Sequence, residues 1–164
     1  MTVKIIQVPD KFLQVDGYPF RIPIRDEEGK ERPLVKDGVE QRDSAGGTLL
    51  ETHNASFAEM LKLFLNAMFR LSQQEIAQAR MQRKEPPEEF TLEDSALALD
   101  IYRALNVISN NQLALERHPH EWLLKQIDLW GVKILGMNAA ILKEPIAGAI
   151  DQESNRDERK RETA

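Results

Sequence analysis

From Ser56 to Leu71 the chain reads SFAEMLKLFLNAMFRL, and this stretch limits what the rest can fold into. At about 100° per residue, Phe57, Met60, Leu61, Phe64, Leu65, Met68, Phe69 and Leu71 cover one broad arc of a helix. Glu59, Lys62, Asn66 and Arg70 gather on the opposite side. Ser56 and Glu59 stand three apart, the spacing of a capping box that satisfies free N–H groups at a helix start. A helix this apolar on one side is held by packing more than by propensity, so the chain has to supply further elements that cover it.

The remaining sequence offers those elements. Ser72-Gln73-Gln74-Glu75 repeats the capping pattern, which suggests a new or kinked, mostly polar helix to about Lys84. Pro86-Pro87 forces an extended break. Thr91-Leu92-Glu93-Asp94 then opens a third helix, with its acids near the positive end of the dipole. Asn110-Asn111 marks a turn. His118-Pro119-His120-Glu121 starts a fourth helix, where proline is tolerated in the first turn. Gly131 and Gly136 interrupt it, and a short continuation through Leu142 stops before Pro145.

These later helices carry apolar residues on more than one side. Leu97, Ile101, Ala104 and Ile108 form one stripe of the third helix, and Leu92, Ala96 and Leu99 lie nearly opposite. In the fourth, Leu123, Ile127, Trp130 and Ile134 form the stripe, with Trp122 and Leu129 to one side and Leu124 and Leu135 to the other. Few elements are available to cover so many faces. One face is therefore expected to build the core and the other to dock on a partner. The residues expected at that contact are Leu92, Leu99, Tyr102, Trp122 and Leu129. The competing reading is a compact bundle with a fully internal third helix.

The first third of the chain reads as strand and turn. Tyr18, Phe20, Ile22 and Ile24 alternate with Pro19, Arg21, Pro23 and Arg25. Asp16-Gly17 supplies a hairpin dipeptide after Phe12–Val15, and Glu28-Gly29 a second turn before Pro33, Leu34 and Val35. The prolines confine such strands to edges and strand starts. Val3 to Val8 is a further candidate strand. The organisation expected is a β-hairpin segment over 1–35, a linker or mobile loop over 36–55, a helical domain over 56–150, and a disordered charged tail over 151–164. The fold class expected is mainly α, about four helices with a small N-terminal β-hairpin or meander, an α+β chain weighted to helix.

Chemistry-bearing patterns are sparse. His118, His120 and Glu121, with His53, have suitable ligand types, but lack the i, i+4 spacing that puts two imidazoles on one helical face. A helix start explains them better, and no metal is expected. Glu93, Asp94 and Asp100 do not converge on one pocket, and Asp100 has Arg103 at i+3 as an ion-pair partner. Ala45-Gly46-Gly47-Thr48 lacks the lysine and the strand–helix setting of a phosphate loop. The serines occupy caps and loops. Arg70, Arg80, Arg83 and Lys84 form a basic spot followed at once by Glu85, Glu88 and Glu89. Arg156, Arg159, Lys160 and Arg161 are similarly interleaved with acids. No catalytic residue, cofactor or enzymatic activity is expected.

Composition narrows the partners. The 164 residues suit one domain with a real core. The formal net charge of -5 argues against broad nucleic-acid binding, which rests on basic patches. With no cysteine there are no disulfides or thiolate sites, as suits a reducing compartment. No stretch approaches the roughly 18 apolar residues of a membrane span, and MTVKIIQVPDKF lacks the features of a signal peptide.

Taken in order, VDGYPFRIPIRDEEGKERPL, SFAEMLKLFLNAMFRL, FTLEDSALALDIYRAL and LALERHPHEWLLKQIDLWG resemble small accessory proteins of tailed bacteriophages over residues 12–142. The resemblance is one of layout and carries no residue roles. It implies a virion component, an assembly chaperone or connector, or a binder of host machinery. The function expected is a non-enzymatic protein-interaction module that self-associates or joins a phage assembly, in the host cytoplasm or the virion. The alternative is an early regulator that binds host transcription or replication proteins.

Overall fold

The computed structural model describes residues 2–152. They form two compact units: 2–10 with 57–152, and Lys11–Ser56. In chain order, the first unit contains β1 (Val3–Gln7), α1 (Phe57–Met81), α2 (Leu92–Leu105) and β6 (Gln112–Glu116). It continues with α3 (Arg117–Leu135), a 3-10 turn at Gly136–Asn138, α4 (Ala139–Ala147) and β7 (Ile150–Gln152). The other unit contains β2 (Arg21–Pro23), β3 (Val35–Lys36), β4 (Val39–Glu40) and β5 (Thr52–Asn54).

The helix-bearing unit is built around one three-stranded antiparallel sheet, with β1 between β6 and β7. β6 alternates exposed and buried residues, so Leu113 and Leu115 turn into the core, and Leu113 sits across from Ile6 of β1. This is the period-2 geometry of a half-covered sheet. The tight connection into β6 runs through Asn110 and Asn111, both with φ near the left-handed region, and Gln112 N–H donates to the Ser109 carbonyl at 2.9 Å. Asparagine tolerates that conformation better than most residues.

α1 supplies the largest share of the core: Phe57, Leu61, Phe64, Leu65 and Met68 are all essentially inaccessible. It runs unbroken for 25 residues, so no second helix begins at Ser72. Ser72 is buried mid-helix, and the capping spacing there carries no boundary because no proline or glycine interrupts the backbone ladder. Nor is the continuation wholly solvent-facing, since Ile76 is also buried. The helix ends in a Schellman arrangement: Lys84 N–H donates to the Ala79 carbonyl and Arg83 N–H to that of Arg80. Arg83 takes φ 54° where glycine is the usual residue.

α2 starts as its sequence indicates. The Thr91 hydroxyl accepts from Asp94 N–H, and the Asp94 carboxylate accepts from Thr91 N–H at 2.7 Å. α3 passes straight through Gly131, which was expected to interrupt it. The glycine is a contact point instead: a Cβ there would lie 3.0 Å from the Ala139 Cβ of α4. Gly136, at φ 56°, does end the helix. α4 then includes Pro145 in its last turns rather than stopping before it. Only one internal N–H is lost there, and Gly148 N–H still donates to the Glu144 carbonyl.

The second unit is a set of hairpins. β2 pairs with β5 and β3 with β4. Single bridges at Leu13–Pro19, Arg25–Glu31, Pro33–Leu50 and Arg42–Thr48 extend the pairing. Gln14–Tyr18, Asp26–Lys30 and Asp43–Gly47 are three copies of one five-residue turn. In each, the first residue's N–H donates to the fifth carbonyl and the fourth N–H to the first carbonyl. The fourth residue is always glycine at φ 79–85°. This is a type I turn closed by a glycine bulge. Phe12 stacks on Phe20 at 5.1 Å, and only Phe12 and Ala55 are buried in the whole unit.

The fold class therefore differs from the one expected. The chain is an α+β mix, with 46% of the described residues in helix and 21% in strands and bridges of small sheets, and not a mainly α protein of about four helices. Three long helices carry the architecture, and α4 has nine residues. The strands were hard to see because most are two to five residues long, too short for a sustained period. The stretch 36–55 holds β4, β5 and a glycine turn where a linker was expected. Asp151 and Gln152, the expected start of the disordered tail, belong to β7 and pair with Lys4 and Val3. The rest of that tail lies outside the described residues.

Candidate functional site

The five residues expected at a contact face part company. Leu92 is 87% exposed at the start of α2, and Leu99 is 49% exposed one face-length further along. Ala96 between them is also exposed, so Leu92, Ala96 and Leu99 make an open apolar stripe. The opposite face of α2 holds Leu97, Ala98, Ile101 and Leu105 in the core. Leu129 is 57% exposed on α3.

Trp122 is drawn inside, at 8% exposure. Its indole Nε1–H donates to Asp94 Oδ1 at 2.8 Å, joining α3 to the cap of α2. One carboxylate thus closes a capping box with one oxygen and receives the indole with the other. Burial works to raise the Asp94 pKa. Hydrogen bonds from Thr91 and Trp122, with the charge of Lys125, outweigh it and hold the carboxyl below its ordinary value. Tyr102 is half-buried and its hydroxyl donates to the Lys62 carbonyl at 2.9 Å. Burial pushes its pKa up, against the opposing effect of a hydrogen bond with Asn66. Trp122 and Tyr102 therefore serve the interior, while Leu92, Leu99 and Leu129 are left exposed.

The histidines do not converge. His118 is exposed, His120 is buried, and His53 lies on β5 in the other unit. His120 Nε2–H donates to the Ile146 carbonyl at 2.7 Å, tying the start of α3 to the end of α4. The Glu121 carboxylate accepts from Arg117 Nε at 2.7 Å, and that bond lowers its pKa. Among the described residues no group of three histidines and acids could hold a metal. Of the carboxylates, Glu93 is exposed and Asp100 lies 3.7 Å from Arg103. Arg80 of the basic spot pairs with Glu89 at 2.7 Å.

The sequence reading did not single out a groove around Phe90. The extended segment after Pro86-Pro87 lays the Phe90 ring between Phe69, at 4.6 Å between centroids, and Trp130, at 6.0 Å. A cleft of about 300 Å³ opens on the Trp130 side, walled by Pro87, Phe90, Leu129 and Trp130. A second, of about 360 Å³, opens on the Phe69 side along Ser72, Ile76 and Arg80. Lys133 places its ammonium 4.8 Å from the Trp130 centroid and pairs with Glu75 at 2.9 Å. Gln126, 4% exposed, also lines the first cleft, and its Oε1 has no hydrogen-bond partner. Leaving such an acceptor unmade costs about 1–3 kcal/mol. The only sequence signal for this groove was the double proline followed by an aromatic, which is not specific. No family model, curated protein or solved structure matches the chain.

Proposed function

We propose that this chain is a non-enzymatic protein-interaction module that self-associates or joins a larger assembly through the apolar stripe of α2. One observation carries the reading: Leu92 stands 87% exposed on a helix whose opposite face already fills the core. A leucine so placed adds little to the folding of its own unit, and apolar side chains aligned at i, i+4 and i+7 have the spacing by which an amphipathic helix docks in a groove. Leu129, Val132 and Met137 add exposed apolar surface on α3 and the turn after it. No helix among the described residues is long and apolar enough to cross a membrane. The layout resemblance to accessory proteins of tailed bacteriophages is what suggests a virion or assembly setting.

Sedimentation over a wide concentration range tests self-association, and the mass of the native complex from its source cell tests larger assembly. Leu92→Lys with Leu99→Lys should shift both toward the monomer while leaving helix content unchanged. A strict monomer in both measurements would overturn the proposal.

A further inference from the structure

We infer that the groove between Phe90 and Trp130 receives an arginine side chain presented by a protein partner. The inference rests on the interaction-module reading but uses a different surface from the α2 stripe. Three observations converge on a guanidinium. The walls are aromatic, and cations are drawn to aromatic faces. Trp130 already carries one, the Lys133 ammonium at 4.8 Å, which shows the electrostatic character of the ring's surroundings. On the rim, Glu75 is paired with Lys133, Glu89 with Arg80, and Asp94 holds Thr91 and Trp122, which leaves the exposed Glu88 carboxylate to meet an incoming cation. Finally, the cleft is lined by a nearly inaccessible amide, Gln126, whose Oε1 lacks a donor.

An ammonium ligand would answer the charge but match the site less well. Guanidinium is planar, weakly hydrated and able to stack while its edge donates several hydrogen bonds. It can lie against Trp130 or Phe90 and still offer N–H groups to the Gln126 oxygen and to Glu88. A hydroxyl or neutral amide ligand leaves the Glu88 charge uncompensated. An anionic ligand is repelled by it. The terminal amide of Gln126 turns about a soft torsion, so Oε1 can be presented to the cleft without repacking the helix.

The test is a titration of the 164-residue chain with acetyl-Gly-Arg-Gly-amide, read by the Trp130 indole and Gln126 amide resonances. The same titration is run with the lysine and citrulline peptides. Saturable shifts are expected with a dissociation constant on the order of 1 mM, as suits a single anchoring side chain. The lysine and citrulline peptides should bind at least about five-fold more weakly. Glu88→Lys, an exposed rim change, should weaken the arginine peptide by a similar factor, and Gln126→Met should do so with thermal midpoint monitored in parallel. Titrating Leu92→Lys/Leu99→Lys separates the two proposals, because loss of self-association there should leave peptide binding intact. Equal shifts with all three peptides, or no shift with any, overturn the inference. So does a several-fold gain in affinity when Arg156, Arg159 and Arg161 are replaced by glutamine, which would make the chain's own C-terminus the occupant.

Discussion

α2 and α3 pose the same problem in sequence and solve it differently. Each has apolar residues on more than one side. α3 packs against α1, α2, α4, β1 and β6, and these neighbours take in most of its arc. Trp122, Leu123 and Ile127 are buried, Leu124, Trp130, Ile134 and Leu135 are half-buried, and Leu129 and Val132 stay exposed. α2 has fewer neighbours, α1, α3 and β6, and its buried residues are Leu97, Ala98, Ile101 and Leu105. Its second stripe stays open. A two-sided apolar helix therefore reports a need for cover, and only the count of neighbouring elements says whether the cover is internal.

The sharpest way to break that comparison is to truncate one residue from each helix. Leu123→Ala on α3 should cost about 2–5 kcal/mol, because a fully buried leucine leaves a cavity. Leu99→Ala on α2 should change chain stability by less than about 0.5 kcal/mol in the monomer. Urea midpoints with unchanged slopes would measure both. Similar losses at the two sites would remove the contrast.

Asp94 links the helices, so its removal should fall next in size. Asp94→Ala deletes the capping box and the Trp122 partner together and should cost about 2 kcal/mol. The pH dependence has a definite sign. The folded pKa of Asp94 is lowered, so the carboxylate's contribution is complete above the unfolded value of about 3.9. It is lost as pH falls toward and through the folded value. The stability gap between wild type and Asp94→Asn should be constant near neutrality and narrow below about pH 4. A gap that widens on acidification would contradict the assignment.

Gly131→Ala tests why α3 is better covered. The new methyl meets Ala139 at 3.0 Å and Ile127 Cγ2 at 3.4 Å. A loss of about 1 kcal/mol is expected despite the gain in helix propensity. Adding Ala139→Gly should recover part of it, which a double-mutant cycle would show as coupling. The smallest effect on stability belongs to Leu92→Lys. At 87% exposure it should stay within about 0.5 kcal/mol while weakening the proposed association.

Much of the helix-bearing unit could be read in advance. The arc of α1 and the Thr91–Asp94 cap depend on residues within one or two turns, and the turn at Asn110-Asn111 on adjacent ones. Two of the three glycine turns of the hairpin unit, at Asp16-Gly17 and Glu28-Gly29, were also legible locally, while the third, at Asp43–Gly47, fell in the stretch expected as a linker. Of the central sheet only β1 had a candidate, Val3 to Val8, and its partners were beyond such reading. β1, β6 and β7 come from residues 3–7, 112–116 and 150–152, and no local pattern in three-to-five-residue strands announces their pairing. The same holds for the groove, where Phe90, Gln126 and Trp130 meet only because two helices and an extended segment cross.

By itself, then, the sequence determined some of the turns, where α2 is capped, and that its long helices carry more apolar surface than one face can use. Backbone hydrogen bonding and side-chain period act over a few residues, so they survive in the one-dimensional record. Tertiary structure alone decided that Trp122 goes inward to Asp94, that Gly131 is a contact rather than a break, and that Leu92 and Leu99 are left in solvent. Those outcomes depend on how many neighbours reach each face, and that number exists only once the chain has closed on itself.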